Sequence, residues 1–269
     1  MITNFSKTMY KKIFITGGHG KTPNGYDSGA VALDGTKERT LIVEIGKFLI
    51  ELFEHQPINR LTHYGITEEL TVVDKANKIN TYCNKNNLTF RNSLLIDLHV
   101  DWRGAGAGIG YYHYPNSPKS ISFGASVVDS MREKGDRRLR FVKPSTASRF
   151  NGLWIIDETE PLAVLIEMGS LERNGEIDNT IEYLSTKKGQ KETALGITNG
   201  VHEFAGWGQV QIPDGFLDGK KVDLEEIDNY SETYKDIEEV NNGLLGAISL
   251  LKKIQQNQSK NAKEERGEN

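Results

Sequence analysis

The chain has 269 residues, 37% of them hydrophobic, a net charge of −4 and a mean hydropathy of −0.50. That composition supports a sizeable core with a polar surplus, and the absence of a basic stripe argues against a nucleic-acid binder. A single cysteine, Cys83, excludes an internal disulfide and a cysteine-rich zinc site, and no apolar run is long enough to span a bilayer.

The opening stretch "MITNFSKTMYKKIFITGG" carries lysines but no apolar run of signal-peptide length. The chain is therefore expected to be made in the cytoplasm without a secretory signal. Ile13, Phe14 and Ile15 form a β-prone run that Gly17, Gly18 and Gly20 end at once. The glycine spacing matches neither the P-loop nor the dinucleotide fingerprint. From Thr36, apolar residues at Leu41, Ile42, Ile45, Phe48, Leu49, Leu52 and Phe53 give the stripe of an amphipathic helix. "INRLTHY" (58–64) then reads as a strand. Residues 67–83 read as a second helix capped by Thr67, with Leu70, Val73, Ala76 and Ile79 on its apolar side. Cys83 lies in the polar run "NTYCNKNN" and is expected to be solvated and without a role.

"SLLIDLHV" (93–100) has the continuous apolar character of a buried strand, and "GIGYYHY" (108–114) follows a glycine-rich link as another. Residues 117–134 look helical. "LWIID" (153–157) and "LAVLIEMGS" (162–170) both read as strands, flanking an acidic turn closed by Pro161. Ala194, Ile197, Val201 and Phe204 mark a last helix before Trp207. Strands alternating with helices predict an α/β domain over 10–207. It would have a mixed, largely parallel central sheet with helices on both faces. Residues 208–223 are expected to be a linker or small hairpin. Residues 224–256 are expected to be a helical extension with Val240, Leu244, Ile248, Leu251 and Ile254 on one side. It would pack on the domain or make an oligomer or partner contact, and 257–269 would be a disordered polar tail.

Four residues stand where chemistry is expected. His19 follows the first strand, His99 ends the "LLIDLHV" strand, Glu167 ends the "LAVLIEM" strand, and Glu38 sits in the first turn of the first long helix. Strands that share an orientation deliver their ends to one sheet edge, where ligands bind. Two histidines and one carboxylate form a catalytic zinc set with an open position for water, and a second carboxylate can act as general base. Each residue also has a plainer role. Glu38 favours the helix dipole, His99 could be a hydrogen-bonded core histidine, and Glu167 could pair with an arginine such as Arg173 to offset burial. His55, His63, His113 and His202 lack comparable settings and are taken as surface or packing residues.

"TGGHGKTPNGYDSGAVALDGTKE" resembles the D-P-G-H-G-G…D-x-G-A…G…E opening of zinc-dependent N-acetylmuramoyl-L-alanine amidases, the bacterial cell-wall amidases. "LLIDLHVDWRGAGAGIGYYHY" is similar to their second block and "EPLAVLIEMGSLERNGEID" to their third. The three blocks occur in order over about residues 10–207. The resemblance implies that His19, Glu38 and His99 hold one zinc ion and that Glu167 is the catalytic glutamate. It also implies that the substrate is peptidoglycan, cut between N-acetylmuramic acid and L-alanine. Thr16-Gly17 stands where the family has Asp-Pro, and Asp27-Ser28-Gly29-Ala30 where it has Asp-Pro-Gly-Ala. The alternatives are a zinc peptidase acting on stem peptides and a catalytically inactive wall-binding module. Without a secretory signal, such an enzyme would reach the wall as a phage-type lysin released through a holin, as part of a virion, or after cell lysis. Stable membrane insertion is not expected.

Overall fold

A computed structural model describes residues 9–102, 108–135, 137–171 and 180–217, all within the first of two compact units, 1–219. The expected C-terminal helix and tail lie outside the described residues, as does Arg173. In chain order the elements begin with strand β1 (Lys12–Gly17), the two short strands β2 (Gly20–Thr22) and β3 (Gly25–Asp27), and helix α1 (Glu38–Glu54). Strand β4 (Leu61–Tyr64), helix α2 (Val72–Asn86) and strands β5 (Ser93–Asp101) and β6 (Ile109–His113) follow. Then come α3 (Pro118–Gly135), β7 (Leu139–Pro144), the one-turn helix α4 (Trp154–Asp157), β8 (Leu162–Ser170), α5 (Thr180–Leu184) and α6 (Lys187–Ala205).

Six strands form one sheet in the order β4-β1-β5-β8-β6-β7, and every neighbouring pair is parallel except β6 against β8. The mixed, largely parallel α/β architecture is thus as expected. Helices α1, α3 and α6 cover one face. On the other, Phe14, Leu95, Ala163 and Leu165 pack against Ala76, Ile79 and Cys83 of α2 and Ile155 and Ile156 of α4. β1, β5 and β8 are buried along nearly their whole length, which explains their unbroken apolar runs. No described helix is long and apolar enough to cross a membrane.

Several expectations need correction. Helix α2 starts at Val72, capped by Thr71 and not Thr67: Thr71 and Asp74 form a reciprocal capping box that Thr67 has no partner to build. "LWIID" is not a strand but a single helical turn, with Ile155 and Ile156 both buried; a short apolar run cannot distinguish the two by pattern alone. Cys83 is fully buried, because it falls seven residues after Ala76 and four after Ile79 on the apolar stripe of α2. Strands β2, β3 and β7 and helix α5 are additional to the predicted elements. Beyond Trp207 the described chain forms no strand, yet it stays packed. Gln56 Nε2 donates to the Gln211 carbonyl at 2.8 Å, the Gln211 amide donates back to Gln56 Oε1 at 2.9 Å, and Phe216 is buried against Phe48.

Candidate active site

The carboxyl ends of three parallel strands build the site. β1, β5 and β8 run side by side, and their register sets His99 directly beside Glu167, on neighbouring strands about 4.8 Å apart. At the end of β1 the Gly18 amide donates to the Leu98 carbonyl at 2.9 Å. A β-carbon on Gly18 would run into the His99 ring, so only glycine lets the chain pass there. His19 follows with φ of 61°, a left-handed turn that swings its ring toward His99; the ring centroids are 5.0 Å apart. Two buried cations fix this loop. Lys75 Nζ donates to the Gly17 carbonyl at 2.6 Å, and Arg39 Nη1 donates to the carbonyls of Gly65 at 2.6 Å and Gly18 at 3.5 Å.

Glu38, the first residue of α1, reaches between the two histidines. Its Oε2 lies 3.0 Å from His19 Nε2 and accepts from the Ala30 amide at 2.9 Å. Its Oε1 lies 3.0 Å from His99 Nδ1 and accepts from the Val100 amide at 3.1 Å. Burial disfavours its charge, but the hydrogen bonds and positive charge of His19 and His99 outweigh this and hold Glu38 well below the usual carboxylate range.

Each histidine is backed by a carboxylate on its other nitrogen. His19 Nδ1 lies 2.7 Å from Asp27 Oδ2, and Asp27 Oδ1 accepts from the Gly29 amide at 2.9 Å. His99 Nε2 lies 3.1 Å from Asp97 Oδ2, and Thr16 Oγ1 donates to Asp97 Oδ1 at 2.6 Å. Although burial raises the Asp97 pKa, hydrogen bonding and charge from His99 bring it down to about 2. Desolvation disfavours the cation of the partly buried His99, yet Asp97 and Glu38 raise its pKa well above the usual histidine value.

Glu167 is the opposite case. Burial pushes its pKa up to about 8; the positive charge of His99 opposes this, and the carboxylates of Asp101 and Glu38 add to it. Its Oε2 is buried with no hydrogen-bond partner among the described residues. On its other flank β6 offers Gly110, over which the Phe141 ring lies.

Among the described residues, His19, Glu38 and His99 are the one group of acidic, histidine or cysteine side chains able to hold a metal ion, with ligand atoms within 4.8 Å of one another. The residues fit zinc. His19 Nε2 and His99 Nδ1 each lie 3.0 Å from a Glu38 oxygen, and two imidazoles with one carboxylate are a donor set that zinc takes with a position left open. The backing carboxylates would orient each imidazole so that its other nitrogen faces the ion. The sequence reading placed these three residues and Glu167 at one edge, and all four are there. It missed Asp97 and Asp27 as partners of the histidines. Asp97 could have been found, since residues two apart on a strand share a face. Asp27 depends on the β2–β3 hairpin, which has no strong pattern. Of the remaining histidines, His113 and His202 are buried and bond to the carbonyls of Tyr114 and Gly208, and His55 is exposed.

Comparison with known proteins agrees with this picture. Residues 13–203 match the model of the family described as N-acetylmuramoyl-L-alanine amidase. No curated protein sequence matches the chain. Among solved structures, the fold is similar to an N-acetylmuramoyl-L-alanine amidase from Clostridium difficile 630, with 20% identity, a TM-score of 0.59, and coverage of 76% of this chain and 100% of that one. It is also similar to amidase AmiC2 of Nostoc punctiforme (17% identity, TM-score 0.55, 72% and 97% coverage). A third likeness is to the catalytic domain of the CD27L endolysin targeting Clostridia difficile (22% identity, TM-score 0.53, 72% and 98% coverage).

Proposed function

The chain belongs to the N-acetylmuramoyl-L-alanine amidase family, and we propose that it is a zinc-dependent peptidoglycan hydrolase of the phage-lysin type. The bond cut is the amide between the lactyl group of N-acetylmuramic acid and L-alanine. The observation that carries this reading is Glu38 bridging His19 and His99 while an unpartnered, buried Glu167 lies beside His99. The likeness to an endolysin catalytic domain supports the lysin part of the reading.

His19, Glu38 and His99 would hold the zinc, which supplies a polarised scissile carbonyl and a more acidic water. Asp27 and Asp97 keep the imidazoles in the orientation and tautomer that ligation needs. Glu167 takes the proton of the attacking water and returns it to the departing alanine nitrogen, as general base and then general acid.

The test combines metal content with turnover. Elemental analysis should find about one zinc per chain in the wild type and in Glu167→Gln, and loss of zinc in Glu38→Ala. Digestion of purified peptidoglycan by the wild type should release new alanine amino groups with intact lactyl ends. Glu167→Gln should be slower by about 10²–10⁴. A wild type that holds no zinc after metal is added back, or a fully active Glu167→Gln, would refute the assignment.

A further inference from the structure

The cleft over His19 and His99 has a volume of about 1060 Å³ and also takes in the first turn of α2 and the segment 149–158. Four large apolar side chains on that stretch are open to water. Val72 and Val73 are 42% and 44% exposed, Phe150 69% and Trp154 52%. Exposed apolar side chains gathered on one cleft beside a reactive centre point to a binding surface.

The segment that displays the two rings is firmly built. Ser148 Oγ accepts from the amides of Phe150 and Gly152, both at 3.3 Å, and donates to the Gly152 carbonyl at 3.0 Å. Asp157 accepts from Ser145 Oγ and from the Leu153 amide, each at 2.7 Å. Asn80 of α2 donates to the Glu158 carbonyl at 2.7 Å and accepts from the Glu160 amide at 3.0 Å, which ties the two walls together. A backbone held this way needs little ordering when a ligand arrives, which favours preorganised recognition.

Charge selects the occupant. Along the 149–158 wall that carries the rings, the lining carboxylates Asp157 and Glu158 outnumber the one cation, Arg149, so an acidic stem peptide finds no net positive charge there. A glycan strand of amide-bearing sugars is neutral. A pyranose also presents a flat face of C–H bonds to the negative face of an aromatic ring. Its hydroxyls can reach polar groups at the rim, such as Arg149, whose guanidinium lies 4.6 Å from the Phe150 ring centroid. We propose that Phe150 and Trp154 form a saccharide-stacking subsite that binds the glycan strand of the substrate, a proposal that rests on the amidase reading.

The test uses the full chain carrying Glu167→Gln, so that binding is measured without turnover. An N-acetylglucosamine tetramer serves as the peptide-free probe and L-alanyl-γ-D-glutamate as the glycan-free probe, both followed by calorimetry. Adding Phe150→Ala and Trp154→Ala should weaken the tetramer by about tenfold or more and leave the peptide probe unchanged. In the active chain the same pair should raise KM for glycan-bearing fragments about tenfold, with kcat within about twofold. A tetramer that does not bind, or whose affinity ignores the two substitutions, overturns the subsite. Loss of the peptide probe instead also overturns it, by assigning the rings to the stem. Because the tetramer has no scissile amide, ring-dependent binding would support the subsite even if the wild type failed to release alanine amino groups.

Discussion

Thr16 and Asp97 face each other across β1 and β5, and their hydrogen bond decides which strand supplies the acid behind His99. The cell-wall amidases that the sequence resembles have aspartate where Thr16 stands. With Asp97 already on the neighbouring strand, an acid at 16 would bring two carboxylates into contact in a buried setting, whereas a hydroxyl donates to the one present. On the zinc reading, Asp97→Asn should lower zinc affinity by about 10–100-fold, read by competition with a chelator. Adding Thr16→Asp to that variant should recover part of the loss, whereas Thr16→Asp alone should weaken binding further from the wild type. Equal zinc affinity in Asp97→Asn and the wild type would exclude this role. Much of this was legible in the sequence: His19, Glu38, His99 and Glu167 each follow from a strand end or a helix start. Partners supplied by a distant turn, such as Asp27, were not, because nothing local specifies where a three-residue strand folds back.

At the scale of elements, legibility followed burial. β1, β5 and β8 are covered on both faces, so their apolar runs are continuous and easily read. β7 is an edge strand with Leu139 and Val142 about two-fifths exposed, and neither alternation nor a continuous run marks it. The start of α2 was misplaced by one turn for a related reason: both Thr67 and Thr71 precede a helical pattern, and only the acid three residues later separates them. Thr71→Ala removes the side-chain half of the capping box, leaving the residue 71 amide to donate to Asp74, and should cost about 1 kcal/mol in urea unfolding. Thr67→Ala, at an exposed position outside the helix, should stay within about 0.5 kcal/mol. An equal cost for the two would mean that the first turn of α2 is held by its packing and not by its cap.

The whole compact unit is closed from both ends of its chain. Trp207 Nε1 donates to the Tyr10 carbonyl at 3.0 Å, so the segment leading into β1 and the exit from α6 meet. Phe216, eleven residues beyond the end of α6 at Ala205, returns to pack on Phe48 of α1. Phe216→Ala should therefore cost on the order of 3 kcal/mol with an unchanged denaturant slope. A smaller cost with no shift in midpoint would place the segment outside the cooperative unit. The opposite side of the sheet holds the chain's single sulfhydryl. Cys83 is wholly enclosed between α2 and the sheet, and burial pushes its pKa up to about 11. A thiol-modifying dye mixed with the native protein must then wait for α2 to lift away. The colour it develops is a clock for opening events on that face, supplied by the natural sequence with no label engineered in.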